Sequence, residues 1–175
     1  MPLISAPFYR LLSFINRVRT KGYKSMRGIL AVAALVFVAV APVSPAFAAK
    51  LSKSEVEEVL NSQGYAVQDV GPNTLFVRVA DYDIRIDIQG PDGDISYRTW
   101  LFEVDGDSVS YKVLNQFNND VKFGRVYIDQ DGDVTLQMDR NGAGGASLAN
   151  IESDFDVFLM LISSFMDHLE SQIVA

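Results

Sequence analysis

From Leu51 to the C-terminus the spacing of apolar residues switches between the two regular periods. Val56, Val59 and Leu60 in "LSKSEVEEVLNSQGY" (51–65) fall at i, i+3, i+4 and predict a short helix. Ser52 or Ser54 can cap it, Glu55, Glu57 and Glu58 suit the positive end of the helix dipole, and Gly64 can stop it. Residues 66–104 read as three strands. Leu75, Val77 and Val79 alternate with Phe76, Arg78 and Ala80, and Ile84, Ile86 and Ile88 alternate with Arg85, Asp87 and Gln89. A period of two means one buried and one wet face. Turn clusters stand at 71–73, ahead of the first of these strands, and at 90–93, ahead of the third strand, Ile95 to Val104. Trp100 on that strand is expected to pack within the sheet.

The period then returns to that of a helix through Val109, Lys112, Val113, Gln116 and Phe117, with Asp107 or Ser108 as the cap. "RVYIDQDGDVTLQMD" (125–139) is a hairpin turning at Asp131-Gly132, where glycine accepts a positive φ. After the "RNGAGGAS" link, Ser147 opens a long helix. Its apolar residues recur at threes and fours from Leu148 to Ile173, and Val157, Met160 and Leu161 widen that stripe beyond one core face. Such a helix is either buried between layers or shared with another copy in a homodimer. The order α-β-β-β-α-β-β-α predicts an α+β fold, an antiparallel sheet flanked by helices.

The first 48 residues differ from the rest. They hold six basic residues and no acid, and residues 29–41, "ILAVAALVFVAVA", are uniformly apolar. "PVSPAFA" follows, with small residues at Ala46 and Ala48. This layout predicts a secretory signal over residues 1–48, cut between Ala48 and Ala49, with Met26 as an alternative start. An uncleaved anchor is the rival reading, since residues 29–49 carry no charge; Pro42 and Pro45 oppose a continuous helix there. Membrane contact is then confined to the signal segment before cleavage, and the protein is periplasmic or secreted. The domain from Ala49 to Ala175 keeps nine basic residues against 22 acidic ones, a formal charge of −13. That charge disfavours nucleic acid as a partner. With no cysteine the domain has no disulfide or thiolate chemistry.

Candidate chemistry is sparse. The one histidine, His168, lies beside Asp167 on the last helix, where adjacent residues point apart, and is expected on the helix surface. Asp129, Asp131 and Asp133 open like a calcium loop. Val134 then stands where that loop needs glycine and Arg140 where it needs an acid, so the triplet reads first as turn chemistry. The residues supply no catalytic set and no cofactor motif. Three functions follow: a non-enzymatic binding or adaptor protein that engages a polypeptide; a small-ligand or calcium sensor using the acidic turns; and, last, a carboxylate enzyme.

"LNQFNNDVKFG" (114–124), the acidic hairpin and the "GGAS" link together resemble the YbjN family of bacterial sensory transduction regulators. The resemblance rests on Leu114, Asn115, Phe117, Asn118, Lys122, Phe123, Gly124, the Asp131-Gly132 turn, Gly144, Gly145 and Ser147. Phe117 stands where tryptophan is frequent in the family, and Lys122 where arginine is. The resemblance implies a sheet-and-helix fold like that of type III secretion chaperones, and no catalytic residues. On physical grounds Asn115 and Asn118 are expected to satisfy backbone groups where helix meets strand, with Phe117 and Phe123 as core anchors and Gly124 a backbone necessity. A polar-aromatic binding groove is the alternative.

Overall fold

A computed structural model of the chain describes residues 50–173. The expectations for the leader, for Met26 and for the Ala48-Ala49 cut lie outside these residues. No helix among the described residues is long and apolar enough to cross a membrane.

The fold is α+β. Helix α1 (Lys53–Ser62) leads into strands β1 (Val67–Gly71), β2 (Thr74–Val79), β3 (Tyr82–Gln89) and β4 (Asp94–Asp105). Helix α2 (Tyr111–Asp120), strands β5 (Gly124–Ile128) and β6 (Asp133–Arg140) and helix α3 (Leu148–Ile173) follow. The six strands form one antiparallel sheet in the order β1-β2-β3-β4-β6-β5. The chain crosses from β4 through α2 to the far edge, lays down β5, and returns with β6 between β5 and β4.

Residues 66–104 thus hold four strands where the alternation predicts three. The extra one, β1, sits at the sheet edge, paired only with β2 and bulged between Asp69 and Gly71. Its three central residues are exposed, Val70 by half. An edge strand with no buried row leaves no period of two to read.

Helix starts follow local chemistry. Ser52 caps α1 in a reciprocal box: its Oγ accepts the Glu55 N–H, and its own N–H donates to the Glu55 carboxylate. Ser147 makes the same exchange with Asn150 at the start of α3. The cap of α2 is Ser110, which accepts the Val113 N–H, and not Asp107 or Ser108. Val109, which the spacing places inside the helix, packs against the core just ahead of it.

One apolar cluster joins the three helices to one face of the sheet. Its inward rows are Leu75, Val77 and Val79; Ile84, Ile86 and Ile88; Ile95, Tyr97 and Leu101; and Val134, Leu136 and Met138. Against them α3 buries Ile151, Phe155, Phe158, Leu159, Leu161, Ile162, Phe165, Met166 and Leu169. Each such side chain contributes about 1.5–3 kcal/mol by leaving water. Tyr97 lies between Phe155 and Phe158 at ring-centre distances of 6.3 and 5.8 Å, and Tyr65 meets Phe155 edge-on at 4.7 Å. Of the wide stripe on α3 from Leu148 to Leu169, Leu148 and Met160 remain exposed; the rest is buried or packs against the core within the chain.

Close approach of α3 to the sheet depends on Gly124. A Cβ there would lie 2.6 Å from Leu161 Cδ1. Gly124→Ala is expected to destabilise the fold by about 1–3 kcal/mol in urea unfolding, through overpacking. The same change made on a Leu161→Ala background should cost little. An equal cost in both backgrounds would place the strain elsewhere.

Candidate functional site

The segment that carries the family resemblance folds as a brace between helix and sheet edge. Leu114 and Phe117 are buried on α2, and the Phe117 ring meets Phe165 of α3 edge-on at 4.9 Å. The Asn118 side chain donates from Nδ2 to the Val126 carbonyl at 2.9 Å and accepts the Val126 N–H on Oδ1 at 2.8 Å. It therefore replaces one residue of a missing neighbouring strand. Asn115 and Lys122 are exposed and make no such bond. Phe123 is 77% exposed and holds φ +72°, so it is not the core anchor its apolar character predicts. Counting outward from the buried Val126, Phe123 falls with Arg125 and Tyr127 on the other side of β5. Gly144 and Gly145 take φ +84° and +83°, a turn that delivers Ser147 to its capping position.

The acidic hairpin holds itself. Asp129 Oδ1 accepts the Asp131 and Asp133 N–H groups, each at 3.0 Å, and Oδ2 accepts the Thr135 hydroxyl at 3.0 Å. Burial would raise the pKa of this carboxyl, but these donors and the Trp100 side chain outweigh it and hold the group below the ordinary aspartate value. Gly132 completes the turn at φ +90°. Asp131 is exposed, and no group of three or more His, Cys, Asp or Glu is placed to hold a metal among the described residues. His168 is half-buried and not a surface residue. Its Nε2 lies 3.1 Å from the Val113 carbonyl and its ring 5.7 Å from Phe117, so it joins α3 to α2.

The most organised polar surface is the sheet face that carries no helix. Its central row runs across five strands as Phe76, Arg85, Arg98, Gln137 and Arg125, each directly opposite the next. A second row runs Thr74, Asp87, Ser96 and Asp139. Arg85 pairs with Asp87 at 2.8 Å, and the Thr74 hydroxyl donates to the same carboxylate at 2.7 Å. Asp139 receives the Ser96 hydroxyl at 2.7 Å, the Gln137 amide at 2.8 Å and Arg125 at 3.1 Å. Burial pushes the Asp139 carboxyl up, but these donors outweigh it and hold it below the ordinary value. Tyr127 donates to Gln137 at 2.8 Å, and Arg78 grips Asp83 through two nitrogens at 2.7 and 2.6 Å. Trp100 stands at the end of this face, half-buried, opposite Thr135. Between β3, β4 and β6 the surface dips into a concave shelf of about 660 Å³ lined by Asp87, Asp94, Ser96, Arg98, Gln137 and Asp139, among others.

None of these arginines stands out in sequence. They occupy ordinary wet positions; the β3–β4 pairing sets Arg85 opposite Arg98, and the register between β4 and β6, some 40 residues apart, brings Gln137 and Arg125 into the same row.

A polar-faced antiparallel sheet backed by three helices defines the class of fold, and the comparisons agree with it. The chain belongs to the YbjN family, described as "Putative bacterial sensory transduction regulator", whose profile matches residues 52–171. A solved structure described as "YbjN, a putative transcription regulator from E. coli" is similar in fold. It has 12% sequence identity and a TM-score of 0.55, over 71% of this chain and 96% of that one. No curated protein matches the chain.

Asn118→Ala removes both bonds to Val126 and leaves that backbone pair uncovered. It is expected to lower unfolding stability by about 1–3 kcal/mol and to promote association through the β5 edge. Asn115→Ala should stay within about 0.5 kcal/mol of the parent. Urea unfolding and sedimentation velocity check both, and equal effects at the two positions would contradict the brace.

Proposed function

We propose that this chain is an exported, non-enzymatic regulatory protein that holds a polypeptide partner against the helix-free face of its sheet. One observation carries the reading: that face is an ordered lattice of charged and polar side chains with a concave shelf, and no helix among the described residues lies over it.

The sheet edges suit strand addition less well. Asn118 covers the middle of β5. At the other edge the Asn61 side chain accepts the Val67 N–H at 3.4 Å, while Lys53 bonds the Gly71 carbonyl at 2.7 Å and the Asp69 carboxylate at 2.5 Å. Both edges are thus tied to helices, which blunts backbone pairing with another chain. The lattice instead offers fixed, pre-ordered side chains to a partner, which lowers the entropy lost on binding. Its carboxylates sit against arginines and hydroxyls, an arrangement for ion-pair recognition and not for moving protons. Export rests on the basic, apolar and small-residue run of the leader.

A photo-activated cross-linker placed at Phe76 or Arg125 on the open face, in cells expressing the full chain, tests both parts. The expected outcome is a polypeptide adduct from these positions and not from Met160 on α3, on a chain whose N-terminal residue is Ala49. Adducts from Met160 alone, or from no position, would refute docking on this face; a retained leader would refute export.

A further inference from the structure

The lattice leaves one buried donor unsatisfied. Arg98 lies at the centre of the open face, with Arg85 directly opposite on β3 and Gln137 directly opposite on β6. Four of the five arginines in the described residues hold a carboxylate: Arg78 with Asp83, Arg85 with Asp87, Arg125 with Asp139 and Arg140 with Asp154. Arg98 holds none. Its Nε is buried and has no hydrogen-bond partner. A buried donor without an acceptor is unfavourable, and two like charges directly opposite across a ladder repel. Both penalties fall at one point, and both are relieved by an anion seated there.

The surrounding groups fix the sign of that ligand. Of the acids lining the shelf, Asp87 is engaged by Arg85 and Thr74, and Asp94 accepts the Gly142 N–H at 2.7 Å. Asp139 feels the charge of Arg98, but its oxygens are taken by Ser96, Gln137 and Arg125. The uncommitted charge on the shelf is positive. The field of a domain with net charge −13 disfavours a run of acids or a multiply charged anion. A single carboxylate fits both constraints, and its two oxygens match the planar fork of a guanidinium.

We infer that Arg98 is a carboxylate-recognition site that anchors one acidic side chain, or the C-terminal carboxylate, of the bound polypeptide. The inference rests on the reading of this face as a polypeptide-docking surface.

The test follows the Arg98 Nε–H resonance of the ¹⁵N-labelled protein by NMR. The probes are a capped Ala-Glu-Ala peptide, its capped Ala-Gln-Ala counterpart, N-acetyl-trialanine with a free C-terminal carboxylate, and inorganic phosphate. One or both carboxylate peptides should shift the resonance at millimolar concentration, and which one does so separates side chain from C-terminus. The glutamine peptide should bind about tenfold more weakly or not at all. Arg98→Gln should abolish the response and keep or raise Tm, because it removes an unpaired buried donor; Arg98→Lys, which keeps the charge but loses the fork, should weaken it; Arg78→Gln should leave it unchanged. Equal response to the glutamine peptide, a response to phosphate alone, no response to any probe, or a fall in Tm with Arg98→Gln would overturn the assignment. The two readings fail separately. Face-specific cross-links without carboxylate dependence would refute only the role of Arg98. Carboxylate binding without any cross-link would leave an anion site and refute the polypeptide as its source.

Discussion

A single amphipathic sheet has one apolar face to bury, and in this protein the 26-residue helix α3 does most of that burying. Phe155, Phe158, Ile162 and Phe165 are fully buried in the cluster that joins α3 to the sheet, with Tyr97 of β4 between the first two rings. The remaining elements depend on this contact. Helix α1 closes one end through Val56, Val59 and Leu60, α2 closes the other through Leu114 and Phe117, and Gly124 lets the sheet come within reach of Leu161. Because three helices share one face, the opposite face must be stable against water by itself.

It achieves this with paired side chains and not with a second apolar layer. The register places Asp87 beside Arg85, Asp139 beside Arg125, and Ser96 and Gln137 between them. Individual exposed ion pairs contribute little, about 0–1 kcal/mol. A network sharing acceptors loses less side-chain entropy per bond, since each group is held by several neighbours. The same helices that fill the core also send Asn118, Asn61 and Lys53 to the sheet edges. Core packing, edge protection and an open polar face are thus consequences of one arrangement, and the open face is the surface on which the proposed docking rests.

Most of this architecture was legible in the sequence wherever a residue's role is set by near neighbours. Ser52 and Glu55 mark the start of α1, the alternations of Leu75–Val79 and Ile84–Ile88 mark two central strands, and the spacing from Ile151 to Leu169 marks α3. Features set by distant contacts were not. β1 has no buried row because it lies at an edge. Phe123 reads as core by composition but turns outward at positive φ. His168 reads as surface but lies under α2. Asn118 was legible as a backbone-satisfying residue, though its target, the edge of β5, was not. The full row was invisible, since Arg125 joins Arg85 and Arg98 only after β4 and β6, about 40 residues apart, come into register.

Among the described residues no helix lies over the polar face of the sheet, and the proposed docking requires that face to stay open in the intact protein. Trp100 is the chain's one tryptophan and stands on that face, so its fluorescence reads that requirement directly. Acrylamide quenching of the purified full-length protein is the measurement. An open face predicts that native Trp100 is quenched at a rate between those of a core indole and the unfolded chain. Emission shielded from acrylamide to the level of a fully buried tryptophan would show a further layer covering the lattice and contradict an open face.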